Sequence, residues 1–281
     1  MSGDDAGGDS EEGAQPPLLG LERVGHRFGR VVVAEELSLS VPRGAALGVV
    51  GPNGAGKTTL FALIGGQLRQ QSGRISLDGR VLDGLSPAAR ARLGIGRTYQ
   101  VPRPFGRMTV FENALVAASH TAGLSGRAAD RAAYAALRRT GLEELANERA
   151  ERLGLLSRKR LELARALAGG PKLLLLDEVA GGLTEPEVVE LVGIIRGLRD
   201  DGVTVVWIEH VVHALTRSVD RLICLAQGRI LADGQPGAVL ADPAVREVYF
   251  GVDVESAGQT QADETRTAET RSAEPRTGDP G

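Results

Sequence analysis

The chain has 281 residues, of which 42% are apolar, 25% are charged and 3% are aromatic, and its formal net charge is −3. A chain of this length buries a substantial core, so the composition is typical of a soluble globular protein with one or two domains. Only three of the 33 basic residues are lysines, and the arginines are spread along the chain without a basic stripe, which disfavours nucleic-acid binding.

The sequence also disfavours a membrane-spanning or secreted protein. No apolar run approaches the roughly 18 to 20 residues needed to cross a bilayer, and the acidic N-terminus is unlike a signal peptide. The single cysteine, Cys224, cannot form an internal disulfide, which fits a reducing compartment, and its apolar neighbours indicate a buried structural thiol. We expect a cytosolic protein that can still dock on a membrane protein.

Both ends of the chain are poor in apolar residues and rich in Gly, Ser, Thr, Glu and Pro. These segments are residues 1–17 and 252–281. Because such segments bury too little apolar surface to offset the entropy of ordering, we predict that both are disordered. The folded domain is then predicted to span residues 18–251.

Between the tails, short apolar strands alternate with helical segments, a pattern that predicts an α/β fold. The runs within 45–51, 172–177 and 203–209 are apolar without alternation, as expected for strands covered on both faces of a mainly parallel sheet. The earliest strands and the last one are predicted to be antiparallel. In chain order, the predicted strands cover residues 31–41, 45–51, 73–79, 172–177, 203–209 and 221–228.

Two regions have helical patterns. Residues 185–199 carry apolar side chains at i, i+3 and i+4 spacing, so one stripe of this helix should pack on the sheet. Residues 109–145 are rich in alanine and are predicted to form two or three helices without an intervening strand. We interpret the span of about 105–165 as a helical subdomain inserted into the core.

The first chemical motif is the glycine-rich "GPNGAGKT" at residues 51–58, which matches GxxxxGK[ST], follows an apolar strand and continues into a helical segment. The glycines let backbone N–H groups curl around an anion, and the helix N-terminus adds about half a positive charge. Lys57 is placed to reach phosphates and Thr58 to offer its hydroxyl to Mg²⁺. The predicted ATP-binding residues are Gly51, Pro52, Asn53, Gly54, Ala55, Gly56, Lys57, Thr58 and Thr59.

An acidic pair follows a second buried strand. In "LLLLDE", Asp177 and Glu178 come at the carboxyl end of the run, where ligands of α/β sheets are expected. Asp177 is predicted to help hold the magnesium ion, and Glu178 to polarise the attacking water.

Together with three further motifs, this order resembles the nucleotide-binding subunit of ABC transporters over residues 19–251. The motifs are "RFGR" with Phe28, "GRTYQ" with Gln100 and "VVWIEH" with His210. The resemblance implies that Phe28 stacks on adenine, that Gln100 senses the metal ion and that His210 contacts the γ phosphate. The remaining histidines, His26, His120 and His213, match no functional position.

The implied fold is a P-loop NTPase core with a mainly parallel sheet, an antiparallel β subdomain and an inserted α-helical subdomain. Catalysis would fall to Glu178, His210, Gln100 and Lys57, and the metal ion to Thr58, Gln100 and Asp177.

Two segments narrow the resemblance to the ATPases of branched-chain amino acid importers: residues 94–118 and the ending "VREVYFG" at 245–251. The resemblance implies a second ATPase subunit, membrane permeases and, indirectly, an extracytoplasmic solute-binding protein as partners. It also implies a place on the inner face of the cell membrane. Short amides, urea and other small polar solutes remain alternatives to branched-chain amino acids.

One motif departs from the family. The loop that normally reads LSGGQ, and grips the γ phosphate held by the other subunit, here reads "LGLLS". Gly154, Leu155, Leu156 and Ser157 occupy its last four positions, and Thr184 stands where the family usually has Asp or Asn. The lost serine hydroxyl removes a hydrogen bond to a charged group worth roughly 1.5 to 3 kcal/mol. Ser157 could compensate by capping the following helix.

Because this loop serves the partner's nucleotide while the phosphate-binding loop serves the chain's own, a homodimer would carry the defect twice. The sequence therefore favours an asymmetric heterodimer. One alternative is a regulatory module that holds ATP with little or no turnover. A non-transport ABC protein of translation or DNA repair is disfavoured, since such proteins usually have two tandem cassettes or a long coiled-coil insert.

Overall fold

Two β-sheets form the framework of the computed structural model, which describes residues 16–250. Of the two segments predicted to be disordered, 1–17 and 252–281, all but residues 16 and 17 lie outside the described residues. The strands are β1 (Leu19–Phe28), β2 (Val31–Val41), β3 (Ala46–Val50), β4 (Ser72–Leu77), β5 (Arg80–Val81), β6 (Ile95–Arg97), β7 (Leu173–Asp177), β8 (Thr204–Ile208), β9 (Arg221–Ala226) and β10 (Arg229–Gly234).

The larger sheet has the order β10-β9-β3-β8-β7-β6, and all of its neighbours pair in parallel except β9 and β10. Every residue of β3, β7 and β8 is buried, as the unbroken apolar runs predict for strands covered on both faces. In β7, Leu174 and Leu176 enter one apolar cluster, while Leu173 and Leu175 enter the other. The sheet thus separates two cores, and its strand ends are rigid supports for loops.

The smaller sheet is antiparallel, in the order β2-β1-β4-β5. The first strand, β1, is absent from the sequence-based prediction. Its pairing register with β2 shifts between Leu21 and Val24 and again before Arg27, so its burial does not follow a strict period of two. That irregularity explains why an alternation pattern does not reveal it.

The prediction for the last strand is wrong in part. Residues 221–228 were expected to form one antiparallel strand, but β9 ends at Ala226 and pairs in parallel with β3 on one side. Its other side pairs antiparallel with β10, across a turn in which Gln227 and Gly228 have positive φ. An apolar run alone does not distinguish these directions, because β9 is buried between two neighbours.

Nine α-helices and two short 3₁₀ helices, Glu143–Leu145 and Ala150–Arg152, accompany the sheets within residues 16–250. Helices α3 (Val110–His120), α4 (Gly126–Arg139) and α5 (Leu155–Ala168) pack on one another through small, fully buried side chains such as Ala114, Ala133 and Ala164. Helix α6 buries the predicted stripe, including Leu191 and Ile195. The helices are α1 (Lys57–Gly65), α2 (Pro87–Arg92), α3 (Val110–His120), α4 (Gly126–Arg139), α5 (Leu155–Ala168), α6 (Glu185–Asp200), α7 (Val212–Thr216), α8 (Pro236–Ala241) and α9 (Pro243–Phe250).

The predicted fold class is confirmed: a mainly parallel sheet carries an antiparallel β unit and a group of helices. Cys224 is buried in β9 and is a free thiol, as expected for a structural cysteine.

Candidate active site

The glycine-rich loop connects β3 to α1 and forms a cavity of about 220 Å³ at the carboxyl end of the sheet. Gly51 and Gly56 have φ of 150° and 104°, and a Cβ at either would lie 2.2 to 2.3 Å from a backbone oxygen. Glycine is therefore required at both positions. The cavity is lined by Val33, Asn53, Gly54, Ala55, Gly56, Lys57, Thr58, Thr59, Glu178 and His210.

Lys57 is folded back onto its own loop. Its Nζ donates to the carbonyl oxygens of Gly51 at 2.6 Å and Pro52 at 3.0 Å. Burial lowers the pKa of Lys57, while the nearby carboxylate of Glu178 acts in the opposite direction. A buried ammonium held only by neutral carbonyls favours an anion as a further partner, because charge-assisted hydrogen bonds are stronger than those to neutral acceptors.

Three side chains distant in sequence meet at Glu178. Its Oε1 lies 2.8 Å from Nε2 of His210, and its Oε2 accepts from Nε2 of Gln100 at 2.5 Å. The backbone of Glu178 has φ of +47°, in the left-handed region that non-glycine residues rarely adopt. The structure therefore brings together the predicted catalytic residues, with Lys57 on the same cavity.

Asp177 lies one residue earlier, at the end of β7, in a different environment. It is buried, and its Oδ2 is 3.1 Å from Nη2 of Arg97 in β6. Its backbone N–H donates to the hydroxyl of Thr98 at 3.2 Å. Burial raises the pKa of Asp177, and the hydrogen bond and charge of Arg97 oppose that shift.

The donor chemistry fits a nucleotide-bound magnesium ion. No cluster of three or more His, Cys, Asp and Glu residues that could hold a metal by themselves occurs within residues 16–250. Magnesium bound with nucleotides usually takes only one or two protein oxygens, since phosphates and water complete its shell. The Thr58 hydroxyl and the Asp177 carboxylate are oxygens of this kind. Gln100, predicted as a further ligand, donates through its Nε2 to Glu178 in this structure.

Phe28, the predicted adenine platform, is not among the residues that line the cavity. It ends β1 with 52% of its surface exposed, and its ring packs edge-on against His26, with the ring centroids 4.8 Å apart. Val33, on the following strand, lines the cavity instead.

The "LGLLS" loop forms the start of α5. Gly154 is the N-cap residue in extended conformation, and no side chain caps the helix, so the hypothesis that Ser157 is the cap is wrong. Ser157 is the third helical residue, three positions after the N-cap residue Gly154. Leu155 is 45% exposed, and its Cδ2 approaches Gly182 in the loop after β7.

Thr184 ends that loop as the residue before α6. Its backbone N–H and its hydroxyl both donate to the Glu187 carboxylate, at 2.8 Å and 2.7 Å. These bonds lower the pKa of Glu187. The side chain therefore stabilises the start of α6.

Sequence reasoning missed three charged residues around the site. Arg97 pairs with Asp177 and also donates to Gln67 at 3.0 Å. Lys159 and Glu209 are buried on either side of the segment that follows β7. Glu209 precedes His210 directly in the sequence, and a charged residue at the end of the apolar run "VTVVWI" is the one signal that could have drawn notice to it.

Within residues 16–250, no helix has the length and apolar character needed to cross a membrane.

Comparison with protein families gives two matches. A family model described as "ABC transporter" matches residues 34–181, more than half of the chain. A second, described as "Branched-chain amino acid ATP-binding cassette transporter", matches residues 229–255.

Curated relatives point to two kinds of transporter. The chain is 38% identical over 251 residues to the high-affinity branched-chain amino acid transport ATP-binding protein LivG of Salmonella typhimurium, covering 84% of this chain and 98% of that protein. It is 37% identical to BraF of Pseudomonas aeruginosa, with the same coverage. It is also 36% identical over 225 residues to the lipopolysaccharide export system ATP-binding protein LptB of Escherichia coli, covering 80% and 93%.

Solved structures agree on the fold. The ADP conformation of an ATP-binding cassette of an ABC transporter is 29% identical and superimposes with a TM-score of 0.76, covering 84% of this chain and 99% of that chain. A nucleotide-free cassette is 28% identical with a TM-score of 0.75, covering 83% and 98%.

Proposed function

The chain belongs to the ABC transporter family of ATP-binding subunits, and from that premise we propose that it powers an importer of branched-chain amino acids or similar small polar solutes. It is an ATP-hydrolysing cassette of the P-loop type. The observation that carries the proposed ATP-driven role is the convergence of Gln100, Glu178 and His210 beside the phosphate-binding loop.

In the proposed mechanism, Lys57 exchanges the carbonyls of its own loop for nucleotide phosphates. A bound magnesium ion supplies neutralisation of phosphate charge, and Thr58 and Asp177 are the oxygens that would hold it. Glu178 orients and polarises the attacking water. Gln100 and His210 each engage one of its carboxylate oxygens, and each oxygen keeps a further lone pair that can accept a hydrogen bond from that water.

Gln100 also connects the site to a candidate permease surface. Tyr99, Val101 and Phe105 flank Gln100 and are 48%, 65% and 47% exposed. Tyr99 and Phe105 line a cavity of about 350 Å³ between β6, α3 and α5. We assign this groove to a cytoplasmic segment of the permease. The chain is then peripheral on the inner face of the membrane.

The proposed solute rests on the LivG and BraF relatives and on the match at residues 229–255. The identity to LptB is nearly as high, so export of a lipid-linked substrate is the competing function. Uptake of labelled leucine by cells lacking the gene separates them. We expect wild-type protein, but not Glu178→Gln, to restore uptake, whereas equal uptake with and without the gene would exclude the import function.

ATP binding is tested by calorimetry on the full chain with magnesium present. We expect wild-type protein to release heat on ATP addition and Lys57→Ala to weaken binding by a factor of about 10 to 100, since a charged hydrogen-bond partner is lost. Lys172→Ala is the control, because Lys172 is exposed and pairs with Asp78 on the surface. This variant should bind ATP like the wild type. Unaltered binding in Lys57→Ala would contradict the proposed site.

We also propose that the working dimer is asymmetric. This proposal is supported by the "LGLLS" loop. Leu155 and Leu156 stand there where the family has glycines, and Gly154, which replaces the family's serine, carries no hydroxyl. A partner with an intact loop would complete this chain's own site, while the site at the partner's nucleotide is weakened. Turnover is compared for this chain alone and with a partner ATPase subunit that carries an intact LSGGQ loop. Equal activity per site in both samples would exclude the asymmetry.

A further inference from the structure

The segment that follows β7, residues 178–180, is held at two points by buried charged residues from other elements. On one side, Nζ of Lys159 in α5 donates to the carbonyl oxygen of Glu178 at 3.4 Å. On the other, Oε1 of Glu209 accepts the backbone N–H of Ala180 at 2.6 Å. Lys159 is 5% exposed and Glu209 is 1% exposed.

Glu209 connects this segment to the site histidine as well. Its Oε2 accepts the backbone N–H of His210 at 3.2 Å, and its Oε1 also accepts Nε1 of Trp207 at 3.3 Å. The Glu209 carboxylate therefore accepts hydrogen bonds both from the loop after β7 and from residues at the end of β8. A buried carboxylate without partners would be strongly destabilising, so the full use of its oxygens explains how it is tolerated.

Lys159 is a costly residue in the same sense. Burial lowers its pKa, while the negative charges of Glu209 and Glu178 act in the opposite direction. It lies one turn into α5, the helix whose first residues form the "LGLLS" loop. The same rigid helix thus carries the loop that faces the partner's nucleotide and an ammonium that touches the backbone of the chain's own catalytic glutamate.

That backbone is in a conformation that needs support. Glu178 has φ of +47°, a left-handed geometry that is sterically unfavourable for a non-glycine residue. Its N–H donates to the Ile208 carbonyl at 2.9 Å, and its carbonyl accepts from Gly181 as well as from Lys159. Fixing the two peptide groups that flank the Glu178 Cα directs the Glu178 side chain toward Gln100 and His210.

We propose that Lys159 and Glu209 are positioning residues that hold Glu178 in its catalytic orientation, and that Lys159 transmits displacement of α5 to it. The inference rests on the proposed function, because it assigns the work of these residues to Glu178 as the catalytic group. It links the two nucleotide sites of a dimer through one subunit. A movement of α5 that accompanies events at the partner's nucleotide would then change the orientation of Glu178, which acts on this chain's own nucleotide.

The chain suits a direct spectroscopic test, since it has four histidines. In full-length protein labelled with ¹³C at histidine, His210→Gln identifies the His210 ring signal. We expect Lys159→Met and Glu209→Gln to shift that signal, while the signals of His26, His120 and His213 stay in place. Lys159→Arg, which keeps a positively charged hydrogen-bond donor, should leave the His210 signal at its wild-type position. The matched control is Arg158→Met, which removes an exposed charge from the same helix.

Kinetics supply the second reading, in the assembled dimer. Lys159→Met should lower kcat by about tenfold, the equivalent of about 1.4 kcal/mol, with ATP affinity within about twofold of wild type. An unmoved His210 signal in both Lys159→Met and Glu209→Gln, or equal movement of all four histidine signals, would overturn the proposal. Failure of wild-type protein to bind ATP would refute the proposed function instead, because the histidine signals are read without nucleotide.

Discussion

The helices α1 and α5 begin in similar ways but offer different chemistry. Each has a glycine at the N-cap and no side-chain capping bond, so each presents unpaired backbone N–H groups. Before α1, the glycine at 56 has φ of 104°, and a Cβ there would collide with the Val33 carbonyl. Before α5, Gly154 has φ of −67°, and a Cβ would meet nothing within 4 Å.

The difference shows which part of anion recognition depends on side chains. The loop before α1 requires its glycines for steric reasons and adds a lysine and two threonine hydroxyls. The loop before α5 keeps the helix N-terminus but presents leucines, one of which is 45% exposed. Backbone donors are therefore common to both, while a lysine and two threonines that line a cavity belong to the first alone.

The largest expected effect is on the first region. Glu178→Gln should lower kcat by a factor of about 10² to 10⁴ while ATP binding persists, since the general base is lost but the phosphate cradle is not. Turnover and calorimetry on the same sample measure the two. A matched control is Glu185→Gln, which breaks an exposed pair with His213 outside the cavity. Loss of ATP binding in Glu178→Gln, or unchanged kcat, would contradict the assignment.

The second region can be repaired, because the space for a side chain at Gly154 is open. In the assembled dimer, this chain carries Glu178→Gln so that only the partner's nucleotide is hydrolysed. Adding Gly154→Ser and Leu156→Gly should raise that turnover by a factor of about 10 to 100, as the hydroxyl contact to a charged group returns.

A glycine-to-serine change elsewhere provides the control for this repair. Gly193, in α6, also has open space around its Cα and ordinary φ. Gly193→Ser should leave turnover unchanged. An equal increase in both variants, or none in the repaired loop, would show that the loop's sequence does not limit the partner's site.

A smaller effect concerns pH. Burial lowers the pKa of Lys57 below the 10.5 of an ordinary lysine, so the unliganded side chain loses its proton earlier as the pH rises. Phosphate favours the charged form, so ATP binding at alkaline pH should take up a proton and weaken as the pH increases. Calorimetry in two buffers of different ionisation heat measures the uptake. Lys57→Arg should abolish it, and binding without uptake in wild-type protein would contradict this expectation.

The smallest expected effect concerns the loop that follows β7 and ends at Thr184. Thr184→Ala should lower the free energy of unfolding by about 1 kcal/mol, the usual cost of a lost side chain before a helix. ATP affinity should stay unchanged, since the Thr184 hydroxyl bonds to Glu187. Denaturant unfolding and calorimetry separate the two quantities. A weakened ATP affinity with intact stability would assign Thr184 to the nucleotide instead.

The sequence predicts those features that depend on local patterns. The phosphate-binding loop, the buried strands β3, β7 and β8, and the α6 stripe are each visible as spacing or composition. Gln100 and His210 could be placed near Glu178 only through the resemblance to a family, because their contacts join separate strand ends.

What the sequence does not reveal depends on packing. Lys159 is 19 residues from the carbonyl it contacts, and Glu209 is 29 residues from Ala180. A lysine on a helix is usually solvated, and nothing in its neighbours distinguishes a buried one. The bulges of β1 and the parallel pairing of β9 are likewise set by neighbours distant in the chain.

The left-handed backbone at Glu178 also restricts how this subunit can change over generations. Asparagine and aspartate accept that conformation more readily than other non-glycine residues, whereas valine, isoleucine and threonine resist it. Substitution of Glu178 by Asp or Asn could therefore reduce catalysis with little added backbone strain. The backbone at this position therefore limits which inactivating substitutions leave the folded structure unstrained.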